Sequence, residues 1–178
     1  MYFTSDHDEN SWAGTEFERM GDDNRPAYVL CATAAQSFPL LYTGQEASLH
    51  KRLRFFDKDT VDWTDTSAVG FYRSLFDLKH RDRVLWNGAS DGTQTRLDTD
   101  GGDRVYAFTR SRGASTVLVA LNFGAAPARI TYSGLSHTGR YADWFRRTTV
   151  TLGANGALEV PAHGYRVLVD PAVVSSKR

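Results

Sequence analysis

Arg104-Val105-Tyr106-Ala107-Phe108 carries the two-residue alternation of a β-strand more clearly than any other stretch of the chain. Outward from it, short segments of the same kind recur at 93–98, 104–110, 115–123, 127–132, 139–145, 147–152, 157–160 and 165–169. Asp100-Gly101-Gly102, Arg112-Gly113, Asn155-Gly156 and His163-Gly164 supply the turns between several of them. About eight strands at this spacing predict an antiparallel β-sandwich.

Upstream of residue 88 the pattern changes. Met1-Tyr2-Phe3-Thr4 runs from apolar straight into polar residues, as a buried parallel strand does where it meets its loop. Asp22, Asp23 and Asn24 precede Pro26, and the small residues that follow predict a helix over 26–36. Phe38 to Tyr42 is a short apolar run closed by Thr43-Gly44, the form of a second buried strand. Thr64 and Asp65 stand where they can cap a further helix, in which Ala68, Phe71, Tyr72, Leu75 and Phe76 make one apolar face. The order strand, helix, strand, helix is the grammar of α/β folds, but two parallel strands do not close a barrel. The expected organisation is therefore an α/β portion at 1–88 that needs further strands upstream, joined to an antiparallel β-sandwich at 89–178.

Composition narrows the partners. Lys plus Arg number 21 and Asp plus Glu number 21, so no positive excess exists to displace counterions from a nucleic acid or to hold an anionic membrane. No apolar stretch approaches the ~18 residues of a membrane span, and the polar start carries no secretory signal pattern, which leaves localisation open. Cys31 is the single cysteine and sits among Val29, Leu30, Ala32 and Ala34, where a thiol behaves as a small hydrophobe.

The densest polar cluster is Ser5-Asp6-His7-Asp8-Glu9-Asn10. It follows a predicted parallel strand, the edge where α/β barrels keep catalytic groups, although such clusters are more often solvated loops. His7, Asp8 and Glu9 are metal-ligand types, but neighbours on one loop rarely converge on an ion without a second cluster. Asp98, Asp100 and Asp103 lack the closing glutamate of a calcium loop and fit a hairpin turn better. Trp12, Tyr42 and Trp63 border the polar segments and have faces for sugar rings, while Trp86 and Trp144 suit core packing equally well. Glu46, just past Gly44-Gln45, suits the same edge or a structural salt bridge.

Phe3 to Trp12, with His7-Asp8 at its centre, resembles the last signature segment of the α-amylase family, glycoside hydrolase family 13. Phe38-Pro39-Leu40-Leu41-Tyr42-Thr43-Gly44-Gln45-Glu46 resembles the family's eighth barrel strand, Leu53 to Trp63 the loop after it, and Phe71 to Val84 the last barrel helix. Two positions depart from the pattern: Asp6 replaces the usual asparagine before His-Asp, and Ser37-Phe38 stands where a glycine commonly precedes the strand's proline.

The resemblance implies that 1–88 is the last βαβα portion of a (β/α)8 barrel, lacking its N-terminal barrel portion, from a retaining glycosidase or transglycosidase acting on α-glucans, with Asp8 as the carboxylate that stabilises the transition state and His7 gripping sugar hydroxyls beside it. Asp6, Trp12, Tyr42 and Glu46 join them as expected substrate-site residues. No position matches the family's nucleophile or acid/base, so this piece alone is expected to be inactive. No cofactor is expected in this chain; calcium in the full-length enzyme would be held by other regions. The rival from another class is a non-enzymatic carbohydrate-binding or structural sandwich module.

Overall fold

A computed structural model describes residues 1–175. The alternating segments become two antiparallel sheets. β1 (Thr93–Arg96), β3 (Val105–Arg112), β4 (Ser115–Asn122), β9 (Gly164–Val169), β6 (Gly139–Asp143) and β7 (Thr149–Leu152) form a six-stranded sheet in the order β1-β3-β4-β9-β6-β7. β2 (Asp98–Thr99), β5 (Ala128–Ser133) and β8 (Gly156–Val160) form a second sheet in the order β2-β5-β8. The segment expected as one strand at 93–98 is two: Leu97 still donates its N–H to Ala107 O at 2.9 Å, whereas Asp98 and Thr99 pair with Ser133 and Tyr132 of the other sheet. Crossing between sheets at a buried leucine lets one segment seal an edge of each.

β4 explains how the layers are built. Its residues are buried almost throughout, with Val117, Val119 and Leu121 in one core and Leu118 and Ala120 in the other. A strand covered on both faces must be apolar at every position, and the period of two then deals alternate side chains to opposite sides. The second core, shared with Leu97, Ile130, Tyr132, Leu158 and Val160, is the filling of the sandwich. The first core is shared with helices.

Those helices come from the N-terminal segment: α1 (Glu16–Met20), α2 (Asn24–Thr33) and α3 (Val69–Arg81), with a short α4 (Pro171–Ser175) after the last strand. α2 contributes Tyr28, Val29 and Ala32, and α3 contributes Phe71, Tyr72, Leu75 and Leu78, to the core beneath the six-stranded sheet. Their apolar faces are thus covered from within the chain. Trp144, just after β6, donates its indole N–H to Ser74 Oγ at 2.8 Å, and His163 in the β8–β9 turn meets Asp23 at 2.8 Å.

Helix limits differ from expectation for identifiable reasons. α2 ends at Thr33, short of 36, because the Arg110 guanidinium takes the Thr33 and Ala34 carbonyls at 2.7 Å each and closes the helix C-terminus with a positive charge. α3 begins at Val69 with no side-chain cap; Asp65 instead accepts the Ser67 N–H at 2.8 Å in a local turn. The two expected parallel strands meet at one bridge, Tyr2 with Pro39, closed by Tyr2 N to Phe38 O at 3.0 Å and Leu40 N to Tyr2 O at 2.9 Å. Each of these segments has the other as its parallel neighbour among the described residues, so the ladder does not extend.

Candidate functional site

The polar run 5–10 folds as a turn of helix. Asp6 caps it: its Oδ1 accepts the Glu9 N–H at 2.8 Å and its carbonyl accepts the Asn10 N–H at 2.9 Å. A π-helical turn over Glu9–Ala13 continues from it. Because the Asp6 carboxylate is spent on the backbone, His7 and Asp8 project from the first turn, with side chains 64% and 62% exposed and 3.6 Å apart. Two adjacent polar groups left open to solvent, one an acceptor and one able to donate or accept, suit a ligand rich in hydroxyls.

Three anchors hold this turn. Arg19, in the last turn of α1, donates to the Thr4 carbonyl and, at 3.0 Å, to the Gly14 carbonyl, and pairs with Glu9 at 3.2 Å. Asn10 donates to Lys51 O at 3.3 Å and accepts the Leu53 N–H at 2.7 Å, while Ser11 Oγ donates to Leu53 O at 2.7 Å. α1 itself is fixed by a capping box, with Glu18 N to Thr15 Oγ1 at 3.2 Å and Thr15 N to Glu18 Oε2 at 2.7 Å.

Beneath the turn lies a buried carboxylate that sequence reasoning missed. Glu16 accepts from Thr4 Oγ1 at 3.2 Å, from the Tyr72 hydroxyl at 3.4 Å and from the Gln45 amide. Gln45 Nε2 also donates to Thr4 Oγ1 at 2.9 Å, and its Oε1 accepts the Tyr42 N–H at 2.8 Å. One hydrogen-bonded set therefore joins the His7–Asp8 segment, the 42–46 loop and α3. Burial raises the Glu16 carboxyl, against the lowering effect of its hydrogen bonds from Gln45, Thr4 and Tyr72 and of Arg19. The signal available in the sequence was the Thr15-x-x-Glu18 pattern, which marks a helix start and so an inward position beside it.

Gly44 makes the loop turn possible: its φ is +94°, and a Cβ there would lie 2.8 Å from Leu49. Tyr42 is half-buried, and burial followed by the nearby negative charge of Asp6 raises its hydroxyl, which brings Tyr42 and Asp6 into one neighbourhood. Glu46 is half-buried, and its Oε2 has no hydrogen-bond partner. The alternative of a structural salt bridge finds no partner for Glu46 among the described residues.

Trp12 is 61% exposed and meets Phe55 with ring centroids 5.3 Å apart. Trp63 is also exposed, and Trp86 reaches the surface with Arg83 over its ring, whereas Trp144 is a core residue. Cys31 is partly buried, and burial pushes its thiol up to about 11. Asp100 accepts the Thr131 N–H at 2.7 Å, a turn role. Among the described residues no group of three or more His, Cys, Asp or Glu side chains is arranged to hold a metal ion, and no helix is long and apolar enough to cross a membrane.

The described residues form an all-β domain of two antiparallel sheets, docked through the larger sheet on helices beside an exposed polar turn. Residues 97–170 match the family model described as alpha amylase, C-terminal all-beta domain. A search of curated protein sequences finds no match.

Among solved structures, the chain is similar to a noncanonic maltogenic α-amylase from Thermotoga neapolitana, with TM-score 0.78, 18% identity, and coverage of 96% of this chain and 41% of that chain. An α-amylase from Geobacillus thermoleovorans, complexed with acarbose, gives 0.69 at 16% identity over 83% of this chain and 33% of that one. A debranching enzyme from Nostoc punctiforme gives 0.65 at 18% identity over 94% and 33%. The likeness is one of fold, and the chain spans at most about two fifths of these proteins.

Proposed function

We propose that the chain is the C-terminal part of an α-amylase-type retaining glycosidase or α-glucan transglycosidase, with residues 1–88 as the end of its catalytic barrel. The observation that carries this reading is the exposed His7–Asp8 pair, set beside the 42–46 loop by the buried Thr4–Glu16–Gln45–Tyr72 network. It gains support from the family domain at 97–170 and from a fold shared over nearly the whole chain with a maltogenic α-amylase. Asp8 would grip sugar hydroxyls next to the bond being cut and strengthen its hold as positive charge develops on the ring, with His7 beside it. Asp6 would act by setting the turn, and Trp12, Tyr42 and Glu46 would line the same edge. The nucleophile and acid/base would come from a barrel portion outside these residues, as would any calcium.

Release of reducing ends from starch and maltoheptaose tests this. The purified chain is expected to release none. A longer protein that supplies the rest of the barrel is expected to be active, with Asp8→Ala lowering kcat by about 10²-fold or more and KM little changed. Activity from the chain alone, or an Asp8→Ala enzyme that turns over normally, contradicts the reading.

A further inference from the structure

The last turns of α3 carry Phe76, Lys79 and His80 on one face, since positions three and four apart lie side by side on a helix. Across from them stand Phe38 and Pro39, from the segment after α2, and Trp86 and Asn87, which follow the short turn Arg83–Leu85. Between them lies a groove of about 420 Å³, a size within the ordinary range of small-ligand sites. Three aromatic rings and a proline make its walls largely apolar. Phe38 is 64% exposed, and neither it nor Trp86 belongs to a core.

The polar feature of this groove is an ammonium without a counter-ion. No carboxylate is among the residues that line it. The half-buried Lys79 donates to Leu85 O at 2.6 Å and, more weakly, to Asn87 Oδ1 at 3.5 Å, and among the described residues it makes no ion pair. The charged and titratable groups around it are Arg110 of β3, which opposes its charge, and Asp91, which favours it but is already paired with Arg110. His80 follows it on α3, and Arg83 lies over the Trp86 ring at 4.9 Å. Burial first, then Arg110, lower the Lys79 ammonium to about 8. A cation held at an apolar wall with its charge incompletely answered is stabilised by an anion that reaches it.

We infer that this groove binds an amphiphilic monocarboxylate of the fatty-acid class, with the carboxylate on the Lys79 ammonium and the tail along Phe38, Phe76 and Trp86. Charge complementarity selects this occupant. The ammonium repels cationic ligands, a wholly apolar ligand would leave it unanswered, and a single amine already bonded to Leu85 and Asn87 offers too few donors for a phosphate ester. A sugar would find few partners on these walls besides Asn87 and His80. The groove shares no residue with the His7–Asp8 turn, so the inference stands apart from the sugar reading.

Calorimetric titration of the full chain with octanoate, 1-octanol and octylamine tests it. At pH 7 octanoate is expected to bind saturably, at least about tenfold more tightly than either analogue. The carboxylate needs the protonated amine, so chain that has lost this proton above pH 8 must take it back on binding. Octanoate affinity should therefore fall about tenfold from pH 7 to pH 9, with proton uptake at pH 8 seen as a dependence of the heat on the buffer's ionisation. Lys79→Met, which keeps the stem and drops the charge, should bring octanoate down to the level of octanol, remove the pH dependence and leave octanol binding as it is. Lys79→Arg, charged throughout, should hold octanoate affinity level to pH 9. Phe38→Ser, at a ring in neither core, should weaken octanoate and octanol alike with an unchanged thermal melt. No octanoate binding, equal affinity for octanoate and octanol, an octanoate affinity that does not change between pH 7 and pH 9, or full octanoate affinity in Lys79→Met overturns the inference. So do concentration-dependent dimers that are lost in Phe38→Ser and that shut octanoate out of the groove.

Discussion

Glu16 and Arg110 are ionisable side chains held out of solvent. The folded state holds the Glu16 proton more tightly than the unfolded chain does, because burial raises its carboxyl above the ordinary 4.5. The stability this contributes is fully present below about pH 4.5 and is lost as pH rises through the folded value. Glu16→Gln keeps the shape without the charge, so the urea midpoint of the variant is expected to fall less than that of the unaltered chain between pH 4 and pH 7. Arg110 is fully buried, donating to the carbonyls of Gly92, Thr33, Ala34 and Val84 and pairing with Asp91. Arg110→Ala would take the guanidinium from Asp91 and from the Gly92 and Thr33 carbonyls, leaving Ala34 and Val84 only their backbone donors Ser37 and Gly92, an expected loss of about 3–5 kcal/mol in denaturant unfolding. Arg110→Lys should recover little of it, since one ammonium cannot reproduce a planar fork that reaches five acceptors.

At the scale of elements, the segment 51–60 depends on one carboxylate. Hydrogen bonding from Lys51, then from the Arg54 and Thr60 backbone, holds Asp59 well below the usual carboxylate range. Asp59→Asn removes the charge that three donors share, and limited proteolysis is expected to cut faster within 51–60 while α3 and the strands stay protected. Much at this scale was legible beforehand. β3 announced itself because the alternation from Arg104 to Phe108 is a local property, and α3 because Phe71, Tyr72 and Leu75 repeat at helical spacing. The division at Leu97 was not legible, since Thr93 to Thr99 has one local pattern and the choice between sheets is made by Ala107 and Ser133, far along the chain. The buried role of Glu16 escaped for the same reason: its partners Thr4, Gln45 and Tyr72 are up to 56 positions away.

For the molecule as a whole, the decisive fact is that one core lies between the N-terminal helices and the six-stranded sheet. Leu75 and Leu78 of α3 share it with Phe108, Val119 and Val167, which face away from the sandwich interior. A fragment beginning at residue 89 would expose that sheet face, a broad apolar surface of the kind that drives association. Sedimentation velocity at micromolar concentration is expected to find the full chain less associated than the 89–178 fragment; a monomeric, fully stable fragment would contradict the shared core. The sequence by itself determined most of the strands after residue 93 and the helices α2 and α3, and it displayed the His7–Asp8 pair, because each depends on neighbours within a few residues. Only the tertiary structure decided that the helices roof the larger sheet, that Arg110 closes α2, and that Phe55 stands beside His7. Those outcomes rest on pairings between residues far apart in the chain, where packing and desolvation, rather than local periodicity, choose the partner.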